Sequence, residues 1–259
     1  MLRDKSPFLK RIKMNKELLT SQNCSIETFP FNIPAIKDID LLIKQPILII
    51  SGDNGSGKST LLKSIATHCG FNLNGGNQNH LYGISPELDE INKLVSCMRF
   101  EWNTKVYDGF FMRSDSFSNF TNFIDEQAKE YGEKKSYSYY GGKSLNKQSH
   151  GESFLSLFIN RFDKKGIYIL DEPEAALSPN KILEFMFLIK QLSDTGKAQF
   201  IIATHSPILM AYPDAQFVYI KNNEIKEMNY VETDHYIITK NFLDNPERYF
   251  HYLFDEDEQ

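Results

Sequence analysis

An α/β fold with a mainly parallel sheet flanked by helices is what the 259-residue sequence predicts, on two observations. The apolar run Ile47-Leu48-Ile49-Ile50 ends directly in the glycine-rich stretch Gly52 to Ser59, where a buried strand turns into a helix. From Gly151 onward, helix-like and strand-like segments alternate, a rhythm that builds parallel sheets covered on both faces.

Taken in order, residues 20–51 read as short strands broken by Pro30, Pro34 and Pro46, an N-terminal antiparallel β region leading into the loop. Leu61 to His68 continue as a helix. The Asn- and Gly-rich segment 70–79 predicts a surface loop. Two further strands are expected, from Leu94 to Phe100 and from Val106 to Met112. The polar, aromatic-sprinkled stretch 117–146 reads as a helical insertion and a loop. Beyond it come helix 151–162, strand 167–170, helix 180–193, strand 199–203 and two strands near 216–220 and 224–228, joined by a hairpin turn at Asn222-Asn223. The expected organisation is one domain over 1–259. Its core is 20–116 and 150–230, with a small helical lobe at 117–149 and a helical tail at 231–259.

Composition narrows the class. With 41% hydrophobic and 13% aromatic residues there is enough apolar surface for a core. The longest apolar stretch, Phe185 to Ile189, is far short of the roughly 20 residues a membrane-spanning helix needs. Three widely spaced cysteines, Cys24, Cys69 and Cys97, fit neither a disulfide framework nor a zinc knuckle. With no apolar leader after Met1, the expected location is the cytoplasm. A formal charge of −5 argues against a surface that binds nucleic acid everywhere. The basic residues Arg3, Lys5, Lys10, Arg11, Lys13 and Lys16 read as a solvated arm and Asp255 to Glu258 as a solvated acidic end.

Gly52-Asp53-Asn54-Gly55-Ser56-Gly57-Lys58-Ser59 matches the phosphate-cradling pattern G-x-x-x-x-G-K-[ST]. Glycines let successive N–H groups converge on one anion, Lys58 adds a point charge, Ser59 can ligate Mg2+, and the helix presents its positive end. The strand Ile167 to Leu170 delivers Asp171 and Glu172 at its carboxyl end, the ligand-binding edge of an open α/β sheet. Asp171 can join Ser59 in a Mg2+ shell and Glu172 can orient or deprotonate an attacking water. Ser149 and Glu152 form a capping box for the run Phe154 to Ile159, and Gly151 leaves that helix start open to an anion. His205, ending the strand Phe200 to Thr204, falls on the edge that carries Asp171 and Glu172, where it can bond a γ-phosphate or hold the water. The remaining histidines, His68, His80, His150, His235 and His251, show no ligand spacing.

Taken together these motifs resemble the ABC-class P-loop ATPases, which include transporter motor subunits and soluble chromosome-maintenance and recombination-repair ATPases. Gly52 to Thr60 match the Walker A motif and Ile167 to Glu172 the Walker B motif. Ala175 to Ser178 match the D-loop, His205 the switch histidine, and Ser149 to Glu152 the signature. The phrases from Gln148 to Phe154 and from Asp171 to Pro179 look like those of small free-standing bacterial ATPases of this class. The resemblance implies ATP and Mg2+ as ligands. It implies nucleotide contacts from Asp53, Asn54, Gly55, Ser56, Gly57, Lys58, Ser59 and Thr60, and from Ser149, Gly151 and Glu152 across a dimer. Metal contacts fall to Ser59 and Asp171, and catalytic roles to Lys58, Glu172 and His205. It further implies an ATP-dependent homodimer acting on a DNA or protein partner. The alternative is the motor subunit of a membrane transporter, against which weigh the altered signature and the short span before it. Departures from the family pattern are His150 for the first signature Gly, Ser178 for the D-loop Asp, and Arg113 or Asp115 where a Gln is usual. Phe29 or Phe31 is at a suitable distance for adenine stacking, though both also suit a core.

Overall fold

The basic N-terminal segment is a strand. Along Leu9–Met14 (β1), Leu9, Ile12 and Met14 are buried while Lys10 and Lys13 are exposed, so the basic residues decorate one face of a sheet rather than a solvated arm. This is a computed structural model that describes residues 5–22, 24–78, 80, 85–162, 164–222 and 224–254; Arg3, Asn223 and the acidic end at 255–258 lie outside them.

The expectation of strands across 20–51 holds only at its end. Lys16–Ser21 (α1) is a helix because the Asn15 side chain accepts from the Glu17 N–H at 3.0 Å. Pro34–Lys37 (α2) is another, with Pro34 at its first turn, where a proline starts a helix rather than breaking a strand. Asp40–Leu42 (β2) and Ile47–Gly52 (β3) are the strands of this stretch, and Lys58–His68 (α3) follows the glycine-rich loop. The segment 70–78 is irregular, but Phe71 and Leu73 are buried. Gly76 and Phe111 also exchange N–H···O bonds at 2.7 and 2.9 Å, which pins the segment under the sheet edge instead of leaving it at the surface. The strand expected from Leu94 begins only at Met98. Leu94, Val95 and Ser96 close the helix Leu88–Ser96 (α4), and Met98–Trp102 (β4) follows. Short apolar runs do not distinguish the two states.

Next come Gly109–Arg113 (β5), Phe117–Tyr131 (α5), Glu133–Tyr137 (α6), His150–Arg161 (α7), Gly166–Asp171 (β6), Pro179–Asp194 (α8), Ala198–Ala203 (β7), Pro207–Met210 (α9), Gln216–Lys221 (β8), Glu224–Glu227 (β9), Asp234–Asp244 (α10) and Pro246–Phe254 (α11). Asn222, between β8 and β9, has φ +51°, a left-handed turn conformation that Asn tolerates.

Among the described residues the strands form two sheets. The larger has the order β5-β6-β7-β3-β8-β9, parallel except for β9; the smaller is antiparallel, β2-β1-β4. Strands β3, β6 and β7 are buried throughout, as expected of a parallel sheet covered on both faces. Leu48, Ile50, Ile169, Ile201 and Val218 pack on α3 and the small sheet. The alternating residues Ile49, Phe110, Tyr168, Leu170 and Ile202 pack on α5, α7 and α8 through an aromatic column in which Phe154, Phe158, Phe162 and Tyr168 succeed one another at 5.1, 4.1 and 4.3 Å between ring centroids.

Two buried glutamines stitch the sheets together. Gln199 of β7 accepts from the N–H groups of Phe8 and Leu9 at 2.7 and 2.8 Å and donates to the Leu9 carbonyl at 2.9 Å. Gln216 of β8 accepts from Lys44 N–H and donates to the Leu42 carbonyl, both at 2.8 Å. Each amide satisfies main-chain groups that the meeting of two sheets would otherwise leave unpaired. Gln199→Leu, close in volume but unable to bond, is expected to destabilise the fold by about 3 kcal/mol, read as a lower urea midpoint at unchanged slope.

Candidate functional site

Three parallel strands set the level at which the chemistry begins. Ile50 of β3 and Asp171 of β6 both lie in register with Ala203 of the strand between them, β7. Just past this row β6 and β7 end and lead into Glu172-Pro173 and Thr204-His205, while β3 runs on through Gly52 before the rest of the glycine-rich loop. Main-chain bonds lock the exits: Glu172 N–H to the Ala203 carbonyl at 2.9 Å and Thr204 N–H to the Ile50 carbonyl at 3.0 Å.

The loop itself depends on Gly57, the residue before α3, which has φ +101°; a Cβ there would lie 2.6 Å from the Ile33 side chain. Lys58 is buried, and its ammonium donates to the carbonyls of Gly52 at 2.8 Å and Asp53 at 2.9 Å. Burial lowers its pKa, opposed by the charges of Glu172, Asp171 and Asp53. Asp53 accepts from the Tyr219 hydroxyl at 3.2 Å, and the Ser56 hydroxyl is buried without a hydrogen-bond partner among the described residues. The loop therefore holds a cation turned onto its own carbonyls and an orphaned hydroxyl, a fit for a phosphate group that would take both.

Ser59 Oγ lies 3.3 Å from Asp171 Oδ1. Two hard oxygen donors side by side suit Mg2+, which Ser59 and Asp171 would hold. Burial pushes the Asp171 carboxyl up to about 6, against the Ser59 bond and the nearby Arg113 charge, which lower it. Arg113 Nε is 3.8 Å from Asp171 Oδ2, and Arg113 also pairs with the exposed Asp115 at 2.5 Å. Of the two residues expected where a Gln is usual, Arg113 reaches the acidic edge.

Glu172 stands in the left-handed conformation, φ +52°, which costs a non-glycine residue on the order of 1 kcal/mol and turns its side chain off the strand. Its Oε1 lies 3.5 Å from His205 Nε2. Burial, then the charges of Lys58 and His235, hold the His205 imidazole down to about 4, so it is neutral at neutral pH. The arrangement presents a carboxylate and a neutral ring nitrogen to one point in space, which is suited to gripping a water molecule.

Three residues here escaped the sequence reading. Glu174 is half-buried and accepts from the main-chain N–H groups of His205 at 2.7 Å and Ser206 at 3.2 Å, which holds the turn that carries the histidine. The signal was a third acid just after Pro173. His235, set aside for lack of ligand spacing, has its Nε2 2.8 Å from His205 Nδ1, and the Tyr219 hydroxyl lies 3.4 Å from His235 Nδ1. No local pattern announces contacts across 30 residues.

At the start of α7, Glu152 accepts from the Ser149 N–H at 3.0 Å and its hydroxyl at 2.7 Å, closing the expected capping box. Gly151 packs beside the 173–177 turn, where a Cβ would stand 3.4 Å from the Ala176 carbonyl. The His150 ring packs edge-on against Phe117 at 5.3 Å. Among the described residues no hydrogen bond or ion pair joins 149–152 to the glycine-rich loop, so the structure leaves these two predicted parts of the site separate. Phe31 is core, 4% exposed, whereas Phe29 is 51% exposed.

This sheet and this edge are those of the ABC-class P-loop ATPase fold. The family described as "AAA domain, putative AbiEii toxin, Type IV TA system" matches residues 153–211. The chain is 26% identical over 231 residues to the tungstate uptake system ATP-binding protein TupC of Campylobacter jejuni, covering 82% of this chain and 60% of that protein. To a Bacillus cereus protein named "Putative ABC transporter ATP-binding protein" it is 28% identical over 226 residues, covering 83% of this chain and 39% of the relative. It thus spans 60% and 39% of the length of these two relatives. Among solved structures, the ADP conformation of an ATP-binding cassette of an ABC transporter matches with a TM-score of 0.50 and 15% identity, over 96% of this chain and all of the other. No helix among the described residues is long and apolar enough to cross a membrane.

Because the Asp171 carboxyl holds its proton more tightly folded than at the ordinary 3.8, the folded state loses stability as pH rises from about 4 to about 6. Asp171→Asn is expected to stabilise the ligand-free protein at pH 8 by up to about 3 kcal/mol, about two pKa units at ~1.4 kcal/mol each. The gain should shrink to near zero at pH 4, as followed by thermal melts across that range. Glu174→Ala, which strips both main-chain N–H groups of their acceptor, should cost about 2–4 kcal/mol in the same melts.

Proposed function

We propose that this chain binds ATP with Mg2+ and hydrolyses it to ADP and phosphate in a site completed by a second copy of itself. The observation that carries this reading is the meeting of Lys58, Ser59, Asp171, Glu172 and His205 at one sheet edge while Ser149, Gly151 and Glu152 stay apart from it. In this reading Asp53 to Thr60 cradle the phosphates, and Lys58 turns from the loop carbonyls to the β- and γ-phosphates. Mg2+, held by Ser59 and Asp171, supplies charge neutralisation at the phosphate oxygens. Glu172 and His205 hold the attacking water in line, and Glu172 accepts its proton.

The partner copy contributes Ser149, Gly151 and Glu152, whose capping box exchanges its internal bonds for contacts to phosphate. Nearly half-exposed, with 46% of its side chain open to solvent, Glu172 is accessible to a closing partner. The chain works as one domain, with 117–149 as its helical lobe and 231–259 as its tail, and opening and closing act on a DNA or protein partner in the cytoplasm. A second reading, a transporter motor subunit, is favoured by the names of the relatives and requires a separate membrane protein.

Glu172→Gln should reduce turnover by about 100-fold or more at unchanged ATP affinity. It should also shift the protein to twice its mass in Mg2+ and ATP on a sizing column with light scattering. A variant that turns over normally would refute the catalytic assignment; one that is inactive but remains monomeric would refute the shared site. Co-purification of this variant with DNA, a soluble protein or a membrane protein separates the partner readings.

A further inference from the structure

A line of hydrogen bonds runs from the glycine-rich loop to the catalytic edge by a route outside the motifs. It passes from Asp53 Oδ1 to the Tyr219 hydroxyl at 3.2 Å, from that hydroxyl to His235 Nδ1 at 3.4 Å, and from His235 Nε2 to His205 Nδ1 at 2.8 Å. Its two middle members are firmly placed. Tyr219 is buried on β8 beside the loop strand. His235 sits in the first turn of α10, where the buried Thr233 accepts from the Tyr236 N–H at 3.2 Å and Lys221 pairs with Asp234 at 3.1 Å.

The direction of donation follows from the chemistry of the ends. The Tyr219 hydroxyl donates to Asp53 Oδ1, which uses its single proton. The tyrosine oxygen can then only accept from His235, which places the His235 proton on Nδ1 and leaves Nε2 bare. Bare Nε2 accepts from His205, which places the His205 proton on Nδ1. We propose that His235 and Tyr219 are positioning residues that, anchored by Asp53, hold His205 as the Nδ1–H tautomer with the lone pair of Nε2 directed at the water site shared with Glu172.

Two acceptors, Glu172 Oε1 and His205 Nε2, 3.5 Å apart, repel each other when nothing lies between them and are satisfied together by one water that donates a hydrogen to each. This orients the water before any partner closes, and it makes α10, an element outside the motifs, part of the hydrolytic apparatus.

The inference rests on the hydrolytic reading, and its test separates the two. Nitrogen-15 spectra of histidine-labelled, nucleotide-free protein at pH 7.5 should show His205 protonated on Nδ1, and Tyr219→Phe or His235→Leu should abolish that single tautomer. An Nε2–H form in the unmodified protein would overturn the proposal whatever the activity. In turnover, His235→Leu should lower kcat by about 10- to 100-fold with KM for ATP changed less than about twofold. His235→Gln, whose amide keeps an acceptor for His205 and a donor for Tyr219, should recover most of that loss. Tyr219→Phe should add little to His235→Leu, since both break one line. Equal rates for His235→Leu and His235→Gln, or full activity of both, would refute the positioning role. If the unmodified chain shows no turnover at all, the proposed function fails instead, and the spectra still decide the tautomer.

Discussion

The alignment of β3, β7 and β6 in one parallel register is the constraint on which the rest of the site depends. It is held by a core that uses both faces of each strand, so that sliding any one by a residue would turn its buried side chains to the wrong face and move its terminal loop by a residue. With Ile50, Ala203 and Asp171 level with one another, the histidine turn and Glu172 leave the sheet at the same height, and the phosphate loop follows two residues further along β3, after Gly52. The chemistry requires three separate segments of chain to converge, and the register brings them together.

Beyond that row the structure stores costs that a purely structural edge would avoid. A buried carboxyl at Asp171, a left-handed Glu172, a Lys58 turned inward onto carbonyls and an orphaned Ser56 hydroxyl all lie within the loop and the acidic exit. Each is a cost in the free chain, and in the proposed reading a bound anion and cation would offset the burial of Asp171 and Lys58 and satisfy the Ser56 hydroxyl. Stability is supplied elsewhere: by the aromatic column under α7 and α8, and by Gln199 and Gln216, which let the small antiparallel sheet and the large parallel one share main-chain partners.

Much of this was legible in the residue order. The turn from strand to helix at Gly52 to Ser59, the acidic strand end at Asp171 and the capping box at Ser149 are local chemistry, each written within a few residues, and each lies where its pattern places it. Errors fell where short segments are decided by distant neighbours. Basic residues masked β1, because its apolar positions face a partner sheet that no window of sequence includes; Pro34 was read as a breaker when it starts a helix; Leu94 to Ser96 took the helical state from α4. Glu174, Tyr219 and His235 were missed because their partners are remote in sequence or, for Glu174, because its target is main chain rather than a motif residue.

The sequence by itself determined the class of fold, the phosphate loop and the set of groups able to meet a phosphate, since backbone freedom at glycine, strand burial and charge at a strand end are local properties. Only the tertiary structure decided how those groups are wired: which carbonyls hold Lys58, which carboxylate holds the His205 turn, which nitrogen of His205 faces Glu172, and that residues 149–152 stand away from the loop they are expected to complete. Hydrogen bonds between residues far apart in the chain depend on distances that exist only after the sheets and helices have packed, and for that reason no pattern of spacing could contain them.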